Sequence, residues 1–194
     1  MTQVYRVMEG NATGGARIPL EATQDGEMRS IELTLDADTD AAIRDEWRFL
    51  AEHGLPNLAS HTAASNAPHV TLVAGDALAV ADVPADTFGA LPLPLRFGAL
   101  STFAAGRGRF VLVRSVVVTR ELLALHERVA HPLARAVPTS LPGAWTPHVT
   151  LARRLTAEQV GVALSLLATP SDGAYVAARL WDAATKTLVP LTAS

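Results

Sequence analysis

Two histidine–threonine pairs carry the chemistry this chain can do. His69 and Thr71 lie in the string PHVTL at 68–72, and His148 and Thr150 lie in the same string at 147–151. Side chains of an extended strand alternate between its faces, so each His–Thr pair shares one face. Val70 and Leu72, like Val149 and Leu151, then turn the other way and anchor the strand in a core. The leading prolines, Pro68 and Pro147, suit the first residue of a strand, where no ladder donor is required. Two such strands, related by a pseudo-twofold axis, would bring two imidazoles and two hydroxyls to one space. Histidine titrates near pH ~6.5, so at neutrality one ring can be neutral while the other holds a proton. That combination suits a phosphodiester. One ring takes a proton from water or a ribose hydroxyl, and the other gives one to the departing ribose oxygen. Thr71 and Thr150 can donate hydrogen bonds to the non-bridging oxygens, where charge gathers in the transition state. The scheme needs no metal and no cofactor. Two histidines could ligate zinc, but neither copy brings a helical histidine–glutamate arrangement or a carboxylate cluster, so the metal reading is the weaker one. A lone His-x-Thr is most often an ordinary surface or core pair; two copies in matched surroundings carry the reading.

The elements needed to position these strands are legible. SIELTLDAD at 30–38 alternates, with Ile31, Leu33 and Leu35 on one face and Glu32 and Thr34 on the other, which predicts a half-buried strand. A helix follows, with Ile43, Trp47 and Leu50 at helical spacing, Asp38 and Asp40 near its start, and Gly54 and Pro56 to stop it. Residues 75–92 read as a connector. LPLPLRFGALSTF alternates at Leu93, Leu95 and Phe97, and AAGRGR reads as a glycine hairpin into a strong β run at 110–118. The next helix turns Leu122, Leu125, Val129 and Leu133 inward until Pro132 bends or ends it. After the second PHVTL, Thr156 and Gln159 form a capping box that opens a helix to about Leu167, and AYVAARLWD and TLVPL read as closing strands. Strand, helix, loop and motif therefore occur twice. The histidines are 148 − 69 = 79 positions apart, and the same shift carries Ile31 onto Phe110, Ile43 onto Leu122 and Leu50 onto Val129. This is a repeat of pattern rather than of letters; the plain alternative is two ordinary strand–helix–strand stretches of similar length.

Composition narrows the class. The chain has 194 residues, 49% of them hydrophobic, and a net charge of −3. That permits one sizeable domain and gives no basic surface for gripping duplex nucleic acid. A small cyclic nucleotide or an RNA end remains within reach of local arginines. There is no cysteine, which rules out thiolate catalysis, disulfides and cysteine zinc sites. No apolar run approaches the ~20 residues of a membrane span, and the amino terminus lacks a signal pattern, so a soluble cytoplasmic protein is expected. Residues 1–29 read as an extension of uncertain order, with a short strand at 4–8, ahead of a single domain over 30–194.

The paired motifs His69-Val70-Thr71-Leu72 and His148-Val149-Thr150-Leu151 resemble those of the two-histidine (2H) phosphoesterase superfamily, in its 2'-5' RNA ligase-like, 2',3'-cyclic phosphodiesterase branch. The resemblance covers roughly residues 30–190. It implies an α+β fold of two pseudo-symmetric lobes of antiparallel sheet around a central cleft, with helices packed outside. It implies that His69 and His148 are the acid–base pair, with no indication of which is which, that Thr71 and Thr150 bind phosphate, and that the substrate is a cyclic phosphate or a 2'-linked ribonucleotide. HVTLARR resembles members with a basic residue after the second motif, which makes Arg153 a substrate contact; the alternative is a solvated arginine. GALSTFAAGRGRFVLV resembles a family stretch in which an aromatic precedes the hairpin, so Phe103 either stacks on a base or packs in the core. The amino-terminal extension and HVTLVAG depart from close members, which bears on substrate more than on chemistry.

His53 at a helix end, His126 in the position of Trp47 in the other half, His131 before Pro132 and His61 in a polar loop read as structural. Two readings compete with the enzyme: a nucleotide or RNA-end binding module that keeps the cleft, and a scaffold whose repeated strings are structural. The second predicts imidazoles far apart or buried against the core. Oligomeric state is not legible.

Overall fold

Ile31, Leu33 and Leu35 are buried together on one face of β1 (Met28–Leu35), as their alternation requires. The computed structural model describes residues 28–192 except 61, 62, 64, 77, 134, 135 and 169. The strand expected at 4–8, most of the expected extension and His61 lie outside the described residues. The first strand ends before Asp36, short of the expected residue 38, because Asp36 leaves the sheet to cap α1 (Ala37–Glu52). Its carboxylate accepts from the Thr39 amide at 3.0 Å and from the Ala174 amide at 2.6 Å. A cap of this kind stabilises a helix by about 1 kcal/mol. The close approach leaves no room for a side chain at Gly173, where a Cβ would fall 1.8 Å from Thr39 Oγ1. Ile43, Trp47 and Leu50 form the buried stripe of α1, and Gly54, at φ +68°, ends it.

The first motif opens β2 (His69–Asp76). The run LPLPLRFGALSTF at 91–103, which alternates at Leu93, Leu95 and Phe97, is split at Arg96 between β3 (Leu93–Leu95) and β4 (Phe97–Ala104), which belong to different sheets. Leu93, Leu95 and Phe97 are all buried, so one hydrophobic rhythm serves both sheets. The glycine hairpin leads into β5 (Phe110–Val116), followed by α2 (Arg120–Ala130), which stops before Pro132. The second motif opens β6 (His148–Leu155). Thr156 and Gln159 form the expected reciprocal cap on α3 (Ala157–Leu166). The closing strands are β7 (Gly173–Asp182) and β8 (Thr187–Pro190).

The fold is mixed α+β with two antiparallel sheets. One has the order β2-β1-β7-β3, with β8 also on β7; the other is β4-β5-β6. β2 and β6, the motif strands, are both edge strands, and they approach each other across the boundary between the sheets. The helices reach across the halves: α1, from the first half, packs on β6 as well as on β1 and β7, and α2, from the second half, packs on β2. A single apolar cluster, including Leu33, Leu72, Leu112, Leu122 and Leu151, runs through both sheets. Full burial of each such side chain contributes roughly 1.5–3 kcal/mol. No described helix is long and apolar enough to cross a membrane.

The repeat is present, but its spacing varies along the chain. Thr34 pairs with His69 and Ser115 with His148, so the strands beside the motifs are offset by 115 − 34 = 81, and Ile31 corresponds to Leu112 rather than Phe110. The helix caps Asp36 and Thr119 are offset by 119 − 36 = 83. His126 therefore does not occupy the place of Trp47. It is fully buried, and its ring stacks on Trp145 at 4.0 Å.

Candidate active site

His69 and His148 are held in the same way. The Nδ1 of His69 lies 2.8 Å from the Ala67 carbonyl, and that of His148 lies 2.7 Å from the Thr146 carbonyl, each two residues upstream. A carbonyl can only accept, so Nδ1 carries the proton in both rings and Nε2 is left as the working nitrogen. Both rings and both threonines are half-buried, while Val70, Leu72, Val149 and Leu151 are buried on the opposite faces. Neither threonine hydroxyl is engaged by another described residue. The rings are close enough to sense each other's charge. Burial pushes His148 below the ordinary histidine value, the His69 and Arg153 charges push it the same way, and the Thr146 carbonyl opposes them.

Each motif strand carries a bulge just after its threonine. Thr71 pairs with Glu32 and Val73 with Ile31, so Leu72 is the extra residue; Thr150 pairs with Val113 and Ala152 with Leu112, so Leu151 is its counterpart. Two consecutive residues face the core in each strand, and the next one returns to the side of the His–Thr pair. In β6 that residue is Arg153, exposed and coupled to His148; in β2 it is Ala74. Phe103, on β4, lays its half-buried ring 4.9 Å from that of His148, tilted by 59°. Thus the six residues singled out from the sequence, His69, Thr71, Phe103, His148, Thr150 and Arg153, all lie on the facing motif strands or against them.

Sequence reasoning missed three supports. The indole of Trp47 on α1 donates to the Thr150 carbonyl at 3.1 Å, and the indole of Trp145 donates to the Thr71 carbonyl at 2.9 Å. Edge strands leave such carbonyls open, and here one indole closes each motif strand at its threonine. Trp47→Phe and Trp145→Phe keep most of the ring and remove the bond; each is expected to lower unfolding free energy by about 1 kcal/mol, read as a lower urea midpoint. The third support is Glu32, buried on β1. Its carboxylate lies 3.6 Å from His69 Nε2 and accepts from Ser30 Oγ at 2.7 Å and from Arg179 at 2.9 Å. A carboxylate on the polar face of an otherwise apolar strand was the available signal for Glu32. Its partner Arg179 is 147 positions away and carried none.

A family model described as the 2'-5' RNA ligase superfamily matches residues 36–178. The chain belongs to this superfamily of two-histidine phosphoesterases. Membership supports a phosphoesterase function. Among solved structures, Usb1 of Kluyveromyces marxianus aligns over 87% of this chain and 99% of its own, with a TM-score of 0.50 and 11% identity. LigT of E. coli, in a complex with 3'-AMP, aligns over 86% and 95%, with a TM-score of 0.47 and 19% identity. At such identities the likeness to Usb1 is one of fold. No curated protein sequence matches.

Proposed function

We propose that this superfamily member opens a 2',3'-cyclic phosphate, or a related 2'-linked ribonucleotide phosphodiester, by acid–base catalysis between His69 and His148, without a metal. The carrying observation is the matched tethering of the two imidazoles: both Nδ1 atoms are fixed on upstream carbonyls, and both Nε2 atoms remain for proton transfer. One ring takes the proton of a water molecule as its oxygen bonds to phosphorus. The bond from phosphorus to the ribose oxygen breaks, and the other ring protonates that oxygen. Thr71 and Thr150 donate to the non-bridging oxygens. Arg153, beside His148, adds positive charge for the phosphate or the flanking nucleotide, and Phe103 offers an aromatic face for a base.

The substrate is a small cyclic nucleotide or an RNA terminus, and the site works without a cofactor. A panel of cyclic phosphates followed by phosphorus NMR tests the reading. Conversion of at least one 2',3'-cyclic nucleotide to a monoester is expected, at a rate unchanged by EDTA. Binding across the panel without turnover would replace the enzyme by a nucleotide-binding module, and strong EDTA inhibition would replace the two-histidine chemistry by a metal site.

A further inference from the structure

We propose that Arg107 and Arg109 in the β4–β5 hairpin and Arg154 at the end of β6 form a second binding site, which takes the sugar–phosphate backbone of a single-stranded RNA on the 5' side of the reacting phosphate. The inference rests on the phosphodiester reading above and narrows its substrate to the end of an RNA chain rather than a free cyclic nucleotide.

The net charge of −3 conceals a division of the charges along the chain. No Asp or Glu occurs in 87–120 or in 128–157, the stretches that hold β4, β5 and β6. Apart from His148, arginine is the only ionisable residue type on the small sheet and its hairpin, whereas the larger sheet sets Glu32, Asp76 and Asp182 beside Arg29 and Arg179. Arg29, Arg44, Arg48, Arg96, Arg114 and Arg179 each hold a carboxylate. Among the described residues, Arg107, Arg109, Arg153 and Arg154 hold none, and all four are exposed. Glu158, the next acid in the chain, opens α3 and pairs with none of them. Four uncompensated guanidinium groups at one end of a sheet without carboxylates make a local anion site.

The groups lie on a path from the histidines. Thr150 pairs with Val113 and shares its face; by alternation Val111 and Arg109 continue that face toward the hairpin, with Phe103 opposite Val111. Arg109 also donates to the Arg154 carbonyl at 3.4 Å, which ties the hairpin to the end of β6. At a rise of about 3.3 Å per residue, Arg153 and Arg154 stand roughly 15–20 Å along the strand from His148. A nucleic acid strand rises about 3.4 Å per stacked nucleotide, so that distance is the reach of several nucleotides and exceeds that of one. The backbone gives an independent sign. Arg107, at φ 48°, and Arg154, at φ 66°, hold left-handed conformations that glycine adopts more easily. The fold would be served at least as well by glycine at both exposed positions; charge is what arginine adds. Guanidinium forks match phosphate oxygens, and a basic track beside an aromatic ring, here Phe103, suits a single strand held without reading its sequence.

The test compares a 2',3'-cyclic mononucleotide with a short single-stranded RNA that ends in the same cyclic residue, in the unaltered protein and in the triple variant Arg107→Gly, Arg109→Gln, Arg154→Gly. Glycine suits the two left-handed positions, so the urea midpoint is expected to hold or rise. For the unaltered protein, the RNA should have the lower KM, and its log(kcat/KM) should fall with log[salt] more steeply than that of the mononucleotide by about 2, as for three phosphate contacts on a single strand. The triple variant should lose that difference and roughly tenfold or more of kcat/KM on the RNA, through KM, while turning over the mononucleotide as before. A preference for the mononucleotide, equal loss on both substrates, or loss on neither overturns the site and leaves the phosphodiester reading standing. No turnover of either substrate by the unaltered protein removes that reading instead. Binding of a labelled RNA ending in a 3'-phosphate, followed by fluorescence anisotropy, then decides the site by itself. Tighter binding by the unaltered protein than by the triple variant upholds it; equal binding, or equal displacement by a polyglutamate peptide or a duplex RNA, overturns it.

Discussion

His69→Ala and His148→Ala are each expected to lower kcat on a 2',3'-cyclic nucleotide by about 10²–10⁴-fold, the range in which a positioned acid or base contributes. The fold should survive both changes. The two rings are half-exposed, and the anchoring of their strands comes from Val70, Leu72, Val149 and Leu151 on the opposite faces. Truncation frees the Ala67 and Thr146 carbonyls, which water can then reach beside the half-exposed ring positions. Circular dichroism and the urea midpoint are thus expected to stay close to those of the unaltered protein while turnover collapses. Loss of turnover together with loss of fold would make the histidines structural. Near-normal turnover in either variant would remove it from the chemistry. In the unaltered protein, the acidic limb of the pH–rate profile should lie below the ordinary histidine range of about 6.5, because burial and two neighbouring positive charges disfavour a proton on His148.

The motif strands were legible because alternation is a local signal. His69 and Thr71 share a face by the geometry of any strand, and the proline before each copy marks where the strand starts. The helices were legible from their buried stripes, and the capping box at Thr156 and Gln159 formed as its letters require. What sequence did not show is long-range. A constant shift of 79 fits the motif strands, but the offsets of 81 and 83 further upstream appear only in strand pairing and helix capping. The break at Arg96 was hidden because Leu93, Leu95 and Phe97 keep one rhythm across two sheets. Contacts that cross between the halves hid the indole bonds: Trp47, on α1 of the first half, supports the second motif, while Trp145, in the loop before β6 of the second half, supports the first. Glu32 was visible as a polar residue facing away from the core, yet nothing in the letters says that the same face of the sheet carries Arg179 and His69.

Arg114→Met is expected to cost about 3–5 kcal/mol of unfolding free energy, and adding Glu46→Gln to it should restore most of that loss. Arg114 on β5 is 1% exposed, and its guanidinium donates to both oxygens of Glu46 on α1 and to the Ala168 carbonyl. Removing the cation alone strands a desolvated carboxylate, the costliest way to break such a pair. Removing both charges relieves both desolvation penalties, so the double variant should lie within about 1–2 kcal/mol of the unaltered protein. Burial pushes the Glu46 carboxyl up even with Arg114 beside it, which marks how unfavourable its charge would be alone. The sign of the pH dependence follows. A carboxyl raised in the folded state holds its proton more tightly there than in the unfolded chain, so the deficit of Arg114→Met should shrink as pH falls and Glu46 becomes neutral. Urea unfolding of the two single variants and the double variant at neutral and acidic pH measures all of this; additive losses, or a deficit that grows in acid, would refute it. The site depends on the same helix. Glu46 ties α1 to β5 while its neighbour Trp47 ties α1 to the Thr150 carbonyl on β6. One turn of a helix from the first half thus ties down β6, which presents His148, Thr150 and Arg153, together with its neighbour β5.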